Sequence, residues 1–374
     1  MKQRLIVLVV SIAVGLGSNG FARDNNHEEA HAVFVMTNAA HRNEILAYRR
    51  LAGGVLEQSG RFRTGGRGSG GRTDPLGSQG SLLLTQDRSL LLAVNAGSGD
   101  ISVFQVNGDH LKLGGVVPSG GSAPVAVAER DGLVYVLNAA ADSNVTGFHL
   151  NFSGELTPIH NSIRFLSTAN SGGSSLAFSP DGQFLLVTEK VTNNIVVFPV
   201  EDDGTLGPPV ITHDPVPGTF AVTFAPNGAA LVVETGPSGV PNGSMISSFL
   251  VQPGGALLAL NSEPTLGAAT CWSAVSSDGG FVYTANSATS NISGFSVVGA
   301  GTLSPLSGTV VGSLPMGATD LDMAVSSDGK FLYTLNTGAG TVGVFRIKQD
   351  GSLTAIAAAP GILPAAGFNG IAAF

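Results

Sequence analysis

Short apolar runs alternate with turn residues along most of the chain, at a spacing that favours β-strands over helices. Runs such as 184–187 and 331–333 are bounded by Gly, Asp, Asn, Pro or Ser. Pairs of runs are separated by Asp-Gly, Asn-Gly or a related turn, which predicts a β-hairpin because these residues tolerate positive φ. The turn recurs at 86–88, 130–132, 180–182, 226–228, 277–279 and 327–329.

A second repeat has the same period. A glycine is followed two or three residues later by a leucine where a strand should begin, and these leucines recur 45 to 55 residues apart. Repeats of about 40–50 residues made of short strands are typical of β-propellers. Each unit therefore consists of strand A, a turn, strand B, a loop, strand C, the Gly-x-Leu turn and strand D. The Gly-x-Leu turns lie at 54–56, 108–111, 154–156, 204–206, 255–257, 301–303 and 351–353.

The two ends of the chain complement each other. There are seven Gly-x-Leu turns but six A–B turns, because the run 32–38 begins at strand B and 370–374 has the pattern of an isolated strand A. We therefore predict an all-β, seven-bladed propeller over residues 32–374, with four-stranded blades. The C-terminal strand would join the N-terminal blade, and this closure protects the strand edges.

The first residues have the pattern of a secretory signal. Lys2 and Arg4 precede the apolar run 5–16, and Gly20-Phe21-Ala22 supplies small residues at a cleavage site. We predict a signal peptide over 1–22, a flexible segment over 23–31 and a secreted or periplasmic protein; an uncleaved anchor is the alternative. The apolar run is too short to span a bilayer, so we expect no membrane span in the mature chain.

Composition narrows the function classes. The formal charge of −8 becomes −10 without Lys2 and Arg4, since 16 cations then face 26 anions. This charge and the lack of a basic stripe argue against a nucleic-acid partner. Cys271 is the one cysteine, so an intramolecular disulfide is excluded. We expect a monomer, although composition leaves the oligomeric state open.

Two motifs resemble known sites. His27-Glu28-Glu29-Ala30-His31 matches the zinc-hydrolase pattern, but no long helix holds it, so we predict no metal and no cofactor. The insertion 64–79 is rich in Gly and Arg. It is either a flexible surface segment or a lid over the channel, where Arg67 and Arg72 would bind an anion.

A more specific signal lies at the end of strand B. Five blades have asparagine there, which ordinarily hydrogen-bonds its own turn, whereas blades 4 and 5 have Glu189 and Glu234. If both point to the channel mouth, their repulsion would prepare one acid and one base. The alternative is that both are solvated or paired with neighbours such as Lys190. The asparagines are Asn38, Asn95, Asn138, Asn286 and Asn336.

Other candidates lie on the same predicted face. His41 and Arg42 belong to the first B–C loop, and Trp272 and Asp320 lie where strand A begins. The indole could stack on a ring-shaped ligand or pack between blades. Further residues near the start of strand A are Gln79, Ser174, Phe220, Cys271, Asp322 and Asn369.

The strand B motifs 135–138, 283–286 and 333–336 resemble the Tyr-Val-Thr-Asn repeat of bacterial surface-type propellers. With Ser179-Pro180-Asp181-Gly182 and the turn at 203–206, the chain resembles the seven-bladed lactonase family, which includes propeller-type 6-phosphogluconolactonases and fungal carboxymuconate lactonising enzymes. The resemblance covers about 32–374. It implies a small lactone or sugar-derived substrate and a reaction that opens or forms a cyclic ester without a required metal.

On this resemblance, Glu189 and Glu234 would be general base and orienting partner, and His41 with Arg42 would stabilise an oxyanion. Lys190, Trp272, Asp320, Arg67 and Arg72 would bind the ligand. Inner-strand arginines are missing and a leader is predicted, and both features argue against 6-phosphogluconolactonase activity itself. The alternatives are a non-catalytic propeller that binds a ligand, glycan or protein, and a structural envelope protein.

Overall fold

The strands of the computed structural model, which describes residues 31–140 and 142–374, form seven antiparallel sheets arranged as blades of a ring. No α-helix occurs in this part of the chain. The innermost strand of each blade contacts the innermost strands of both neighbouring blades, and these contacts close into a cycle. The predicted seven-bladed propeller is therefore confirmed. The predicted signal peptide and nearly all of the segment 23–31 lie outside the described residues.

The blades follow the chain. Blade 1 contains β1 (Ala32–Met36), β2 (Glu44–Arg50), β3 (Leu56–Arg63) and the last strand, β29 (Ile371–Ala373). Blade 2 contains β4 (Leu82–Leu84), β5 (Leu90–Asn95), β6 (Asp100–Asn107) and β7 (His110–Pro118). Blade 3 contains β8 (Pro124–Arg130), β9 (Leu133–Asn138), β10 (Asn144–Leu150), and β11 (Leu156–Pro158) and β12 (Arg164–Phe165), which both pair with β10.

Blade 4 contains β13 (Gly173–Phe178), β14 (Phe184–Glu189), β15 (Asn194–Pro199) and β16 (Val210–His213). Blade 5 contains β17 (Thr219–Phe224), β18 (Ala229–Glu234), β19 (Met245–Val251) and β20 (Leu257–Pro264). Blade 6 contains β21 (Thr270–Val275), β22 (Phe281–Asn286), β23 (Asn291–Val298) and β24 (Thr302–Ser313). Blade 7 contains β25 (Asp320–Val325), β26 (Phe331–Asn336), β27 (Thr341–Ile347) and β28 (Leu353–Pro360).

Ring closure occurs in blade 1, as predicted. β29 pairs antiparallel with β1, with Phe34 opposite Ala372, and thereby supplies the missing strand A. The backbone N–H of Phe374 donates to the carbonyl oxygen of Ala32 at 3.1 Å. The N-terminal and C-terminal segments of the ring are thus joined by main-chain hydrogen bonds.

The Gly-x-Leu turns join each blade to its neighbour. Gly204 and Gly351 have φ of 80° and 79°, a region that favours glycine. A Cβ on Gly351 would lie 2.6 Å from the ring of Phe281 in the preceding blade. The buried hydroxyls of Tyr135 and Tyr283 donate at 2.8 Å to the carbonyl oxygens of Gly204 and Gly351. The Gly-x-Leu repeat of the sequence therefore forms a contact between neighbouring blades as well as a turn.

Candidate functional site

A cavity of about 620 Å³ runs along the ring axis. Strand A of every blade except the sixth forms its wall. One end reaches the A–B turns, at Gln86, Pro180 and Pro226; we call this side the A–B face. The other end reaches Gln79 and Asp322, and we call it the inner end. The wall between the ends is mainly apolar and includes Leu82, Leu84, Val127, Leu176, Phe178, Val222, Phe224, Met323 and Ile371.

Residues 74–79, which we call the axial plug, cover the inner end. Lys190 of blade 4 donates from Nζ to the carbonyl oxygen of Gly77. Trp272 of blade 6 donates from Nε1 to the carbonyl oxygen of Ser78 at 3.0 Å. The Ser78 hydroxyl donates to the carbonyl oxygen of Val125, in blade 3, at 2.9 Å. A segment bound to three separate blades must cross the axis, so the second half of the insertion is a cover for the channel.

The first half of the insertion is fastened to the B–C loops of blades 1 and 2. Thr64 donates from Oγ1 to Asn95 Oδ1 at 2.7 Å, and the Ser69 N–H donates to Asn38 Oδ1 at 2.9 Å. Arg67 and Arg72 are exposed on this loop. The anion-binding role predicted for the two arginines stays a prediction.

Asp322 is the titratable group that the inner end presents to the cavity. Its Oδ1 accepts the Met323 N–H at 2.8 Å, and its Oδ2 accepts the Ile371 N–H at 3.2 Å. Burial raises the pKa of Asp322 to about 8, against the opposing effect of these two N–H donors. Each carboxyl oxygen retains a second acceptor site. This side chain can therefore exchange a proton near neutral pH.

A second set of titratable groups lies at the axial plug, where Asp74 and Lys190 are half-buried and Cys271 is buried. Asp74 Oδ1 accepts hydrogen bonds from the Gly77 N–H at 2.9 Å and from Asn369 Nδ2 at 3.1 Å. Burial raises the pKa of Asp74 and lowers the pKa of Lys190, and the attraction between the two charges opposes both shifts. Burial also raises the pKa of the Cys271 thiol. Perturbed groups clustered at the end of a channel are typical of functional sites.

Trp272 packs and does not present its ring to solvent. Its side chain is 1% exposed, and its ring meets the Phe220 ring edge-on at a centroid distance of 5.3 Å. Lys190 Nζ lies 5.3 Å from the centroid of the same Phe220 ring. Lys190 and Trp272, two of the predicted ligand-binding residues, therefore come together, and their shared partner in this structure is the axial plug.

Glu189 lies at the junction between blades 3 and 4 and is fully buried. Its carboxyl accepts hydrogen bonds from the N–H and hydroxyl of Ser167, the hydroxyl of Thr192 and the amide of Asn194. Ser167 lies in the loop that leaves blade 3, so the carboxyl bridges two blades. Glu189 is not among the residues that line the axial cavity.

Glu234 occupies the equivalent position between blades 4 and 5 and is also fully buried. In the described part of the chain neither of its carboxyl oxygens accepts a hydrogen bond, and Asp214 Oδ2 beside it is equally unpartnered. Burial, followed by repulsion from Asp214, raises the pKa of Glu234 well above its usual range. Glu189 and Glu234 thus occupy separate junctions, and no hydrogen bond joins them.

The remaining predicted residues lie apart. His41 and Arg42 are exposed, and Arg42 forms an ion pair with Glu44 at 2.9 Å. Asp320 is fully buried, and burial raises its pKa well above the usual range. The catalytic and ligand-binding roles predicted for these three residues stay predictions.

Sequence reasoning placed Asp322, Asn369, Gln79 and Cys271 on the correct face but missed Asp74. Its signal was the Asp-Pro pair followed by Gly77 just before strand A, a turn sequence that carries no information about the axis.

Within residues 31–140 and 142–374 no three His, Cys, Asp or Glu side chains are grouped so as to hold a metal ion. The same part of the chain contains no helix long and apolar enough to cross a membrane.

Solved structures share this architecture. A Bacteroides fragilis protein described as a candidate 6-phosphogluconolactonase is 17% identical over 94% of this chain and 99% of its own, with a TM-score of 0.70. A periplasmic gluconolactonase from Pseudomonas aeruginosa is 18% identical over 92% and 98%, with a TM-score of 0.67. A Lactobacillus plantarum protein is 17% identical over 92% and 98%, with a TM-score of 0.70. At these identities the likeness shows a shared fold.

Neither a protein-family model nor a curated protein matches the sequence.

Proposed function

We propose that this protein hydrolyses a lactone at the inner end of the axial channel, with Asp322 as the proton acceptor. The observation that carries the proposal is the buried carboxyl of Asp322 at the closed end of a cavity whose wall is mainly apolar. The axial plug covers the inner end, so the substrate enters from the A–B face. This route differs from the mouth predicted from the sequence, which lies on the opposite face.

The proposed chemistry needs one water and one carboxylate. Ionised Asp322 takes a proton from water, and the water oxygen attacks the ring carbonyl carbon. The ring C–O bond then breaks, the proton passes to the departing ring oxygen, and the product is a hydroxy acid. Ser175 borders the inner end of the same cavity, and its hydroxyl is the donor for the transient oxyanion.

The names of the structural neighbours support the same reaction class. One neighbour is described as a gluconolactonase and another as a candidate 6-phosphogluconolactonase. Both names concern the opening of a cyclic ester, and the apolar channel gives such a neutral ring a water-poor environment. The periplasmic neighbour also agrees with the secretory signal predicted over residues 1–22. Secretion would be tested by N-terminal sequencing of exported protein, which should begin at Arg23.

The test is a pH-stat assay of residues 23–374 against a panel of lactones. Asp322→Asn should lower kcat about 10²- to 10⁴-fold, the usual contribution of a general base. Asp214→Asn is the matched control, because Asp214 is also buried with a raised pKa but lies outside the cavity. In the unsubstituted protein kcat/KM should rise with pH and level off above about 8, where Asp322 is ionised.

The other outcomes are equally informative. Full turnover by folded Asp322→Asn would overturn the assignment of this residue. Glu189→Gln, Glu234→Gln, His41→Ala and Arg42→Ala test the catalytic roles predicted from the sequence in the same assay. A protein that turns over none of the lactones yet binds their ring analogues in the channel would be a binding propeller.

A further inference from the structure

We propose that the ligand of the axial channel is a lactone with an apolar alkyl or acyl chain, rather than a sugar lactone or a phosphorylated one. This inference rests on the proposed function, because it places the lactone ring at Asp322. The structure supplies three observations: the chemistry of the wall, the state of the charges along it, and the position of the closed end.

The wall suits a hydrocarbon chain. From the inner end towards the A–B face the cavity is bordered by Leu82, Leu84, Phe178, Phe224 and Met323. These side chains come from four blades and surround the axis. A sugar ring bound against this apolar surface would lose the water that hydrates its hydroxyls. Hydroxyls without a hydrogen-bond partner in the cavity would not recover this free energy of desolvation. A methylene chain gains free energy from the same burial.

The charged residues of the wall other than Asp322 lie near the A–B face. Arg130 is the one cation among the described residues that line the cavity, and its Nε forms an ion pair with Asp131 at 3.0 Å. Glu129 accepts the N–H groups of Gln86 and Gly132 at 3.0 and 2.9 Å. Both residues lie beside the A–B turns, far along the strand from the inner end. A phosphate group bound at the inner end would therefore meet no cation among the described residues that line the cavity.

The closed end of the cavity has its own polar groups. Gln79, Ser175 and Asp322 border the inner end, and the axial plug blocks passage beyond it. A lactone ring can meet the Ser175 hydroxyl and the Asp322 carboxyl there, whereas Glu129 and Arg130 lie beyond the apolar stretch of the wall, near the A–B face. The lactone ring therefore enters the channel first, and its alkyl or acyl chain extends back along the axis towards the A–B face.

The decisive experiment compares γ-lactones that differ in alkyl chain length, from γ-butyrolactone to γ-dodecalactone, with gluconolactone and 6-phosphogluconolactone. We expect kcat/KM to rise about fourfold for each added methylene until the chain fills the cavity. The two sugar lactones should be the poorest substrates. Turnover without chain-length dependence, or a preference for 6-phosphogluconolactone, would overturn this inference while leaving the proposed function intact.

A binding measurement separates the two proposals. γ-Lactams with the same alkyl chains keep the ring but resist hydrolysis, and their affinities are measured by calorimetry. Chain-dependent lactam binding without lactone turnover would refute the proposed function and retain the apolar ligand. Absence of both turnover and binding would refute both.

Two variants test whether the chain lies in the channel. Leu84→Ala should weaken binding of the long-chain lactam about tenfold, and more than it weakens binding of the unsubstituted ring. Leu113→Ala removes a similar side chain from the outer strand β7 and should leave lactam affinity unchanged. Equal losses of lactam affinity in the two variants would show that the alkyl chain of the ligand binds outside the channel.

Discussion

Glu189 and Glu234 occupy the same position in neighbouring blades but have opposite surroundings. Glu189 is met by four donor groups, from Ser167, Thr192 and Asn194. Glu234 is met by another carboxyl, that of Asp214, and its oxygens are unpartnered. Both are fully buried, so exposure does not distinguish them. The fit of a buried carboxyl therefore depends on the groups that the adjoining loops supply.

The asparagines at the end of strand B in the other blades show which hydrogen bonds this position requires. Asn95 accepts hydrogen bonds from Thr64 and Asn43, and its amide donates to Asp100 and Ser102. An amide can satisfy acceptors and donors together, whereas a carboxylate satisfies donors only. Glu189 has donors around it and is well accommodated. Glu234 needs a proton, and one proton held between it and Asp214 would give each a partner.

The comparison predicts opposite effects for one substitution. Glu189→Gln should lower the free energy of unfolding by about 2–3 kcal/mol, because an amide N–H₂ would face the Ser167 N–H or the Asn194 amide. Urea unfolding at pH 7 measures the change. The exposed Glu57→Gln is the control and should stay within about 0.5 kcal/mol of the unsubstituted protein.

Glu234→Gln should instead raise the free energy of unfolding at pH 7 by about 1–2 kcal/mol. Glutamine needs no proton, and its amide can donate to Asp214 as the asparagines donate in other junctions. The same urea experiment applies. If this variant were destabilised as much as Glu189→Gln, the difference between the two junctions would be refuted.

The smallest expected effect is on pH dependence. Because the pKa of Glu234 is higher in the folded protein than in the unfolded chain, the folded state binds more protons above the unfolded pKa of about 4.3. Stability from this group is full below that pH and is lost as pH rises through the folded pKa. Glu234→Gln should remove this loss, a fraction of the ~1.4 kcal/mol per pH unit that one proton would give. Urea midpoints from pH 5 to 8 test it, and parallel curves would contradict it.

The sequence predicted the ring because its repeats encode local structure. The turns at Gly204 and Gly351 and the hairpin at Asp181-Gly182 are fixed by residues close in the chain, so their period could be read directly. The unpaired strand at each end of the repeat array then required closure within blade 1. These features depend on local backbone conformation, which can be predicted from the identity of individual turn residues such as glycine.

The contents of the site were less predictable, because they depend on residues distant in the chain. Ser167 donates a hydrogen bond to Glu189, and Asp214 repels the Glu234 carboxyl. Each of these two partners comes from the loop that leaves the preceding blade. The axial plug has no periodic pattern, so neither its path across the axis nor its contact with Trp272 could be read from spacing. The alternative that the two glutamates interact with neighbours was open, but the neighbours could not be named.

Ring closure through β29 has a consequence for synthesis of the chain. β1 leaves the ribosome early, with one edge unpaired, and its partner Ile371–Ala373 is made after every other strand. Until then an apolar edge containing Val33 and Val35 is open to pairing with other chains, the usual route to aggregation. A chain that lacks β29 would contain six complete blades and a blade 1 in which one edge of β1 is unpaired. Pairing with β29 therefore protects β1 from association with other chains.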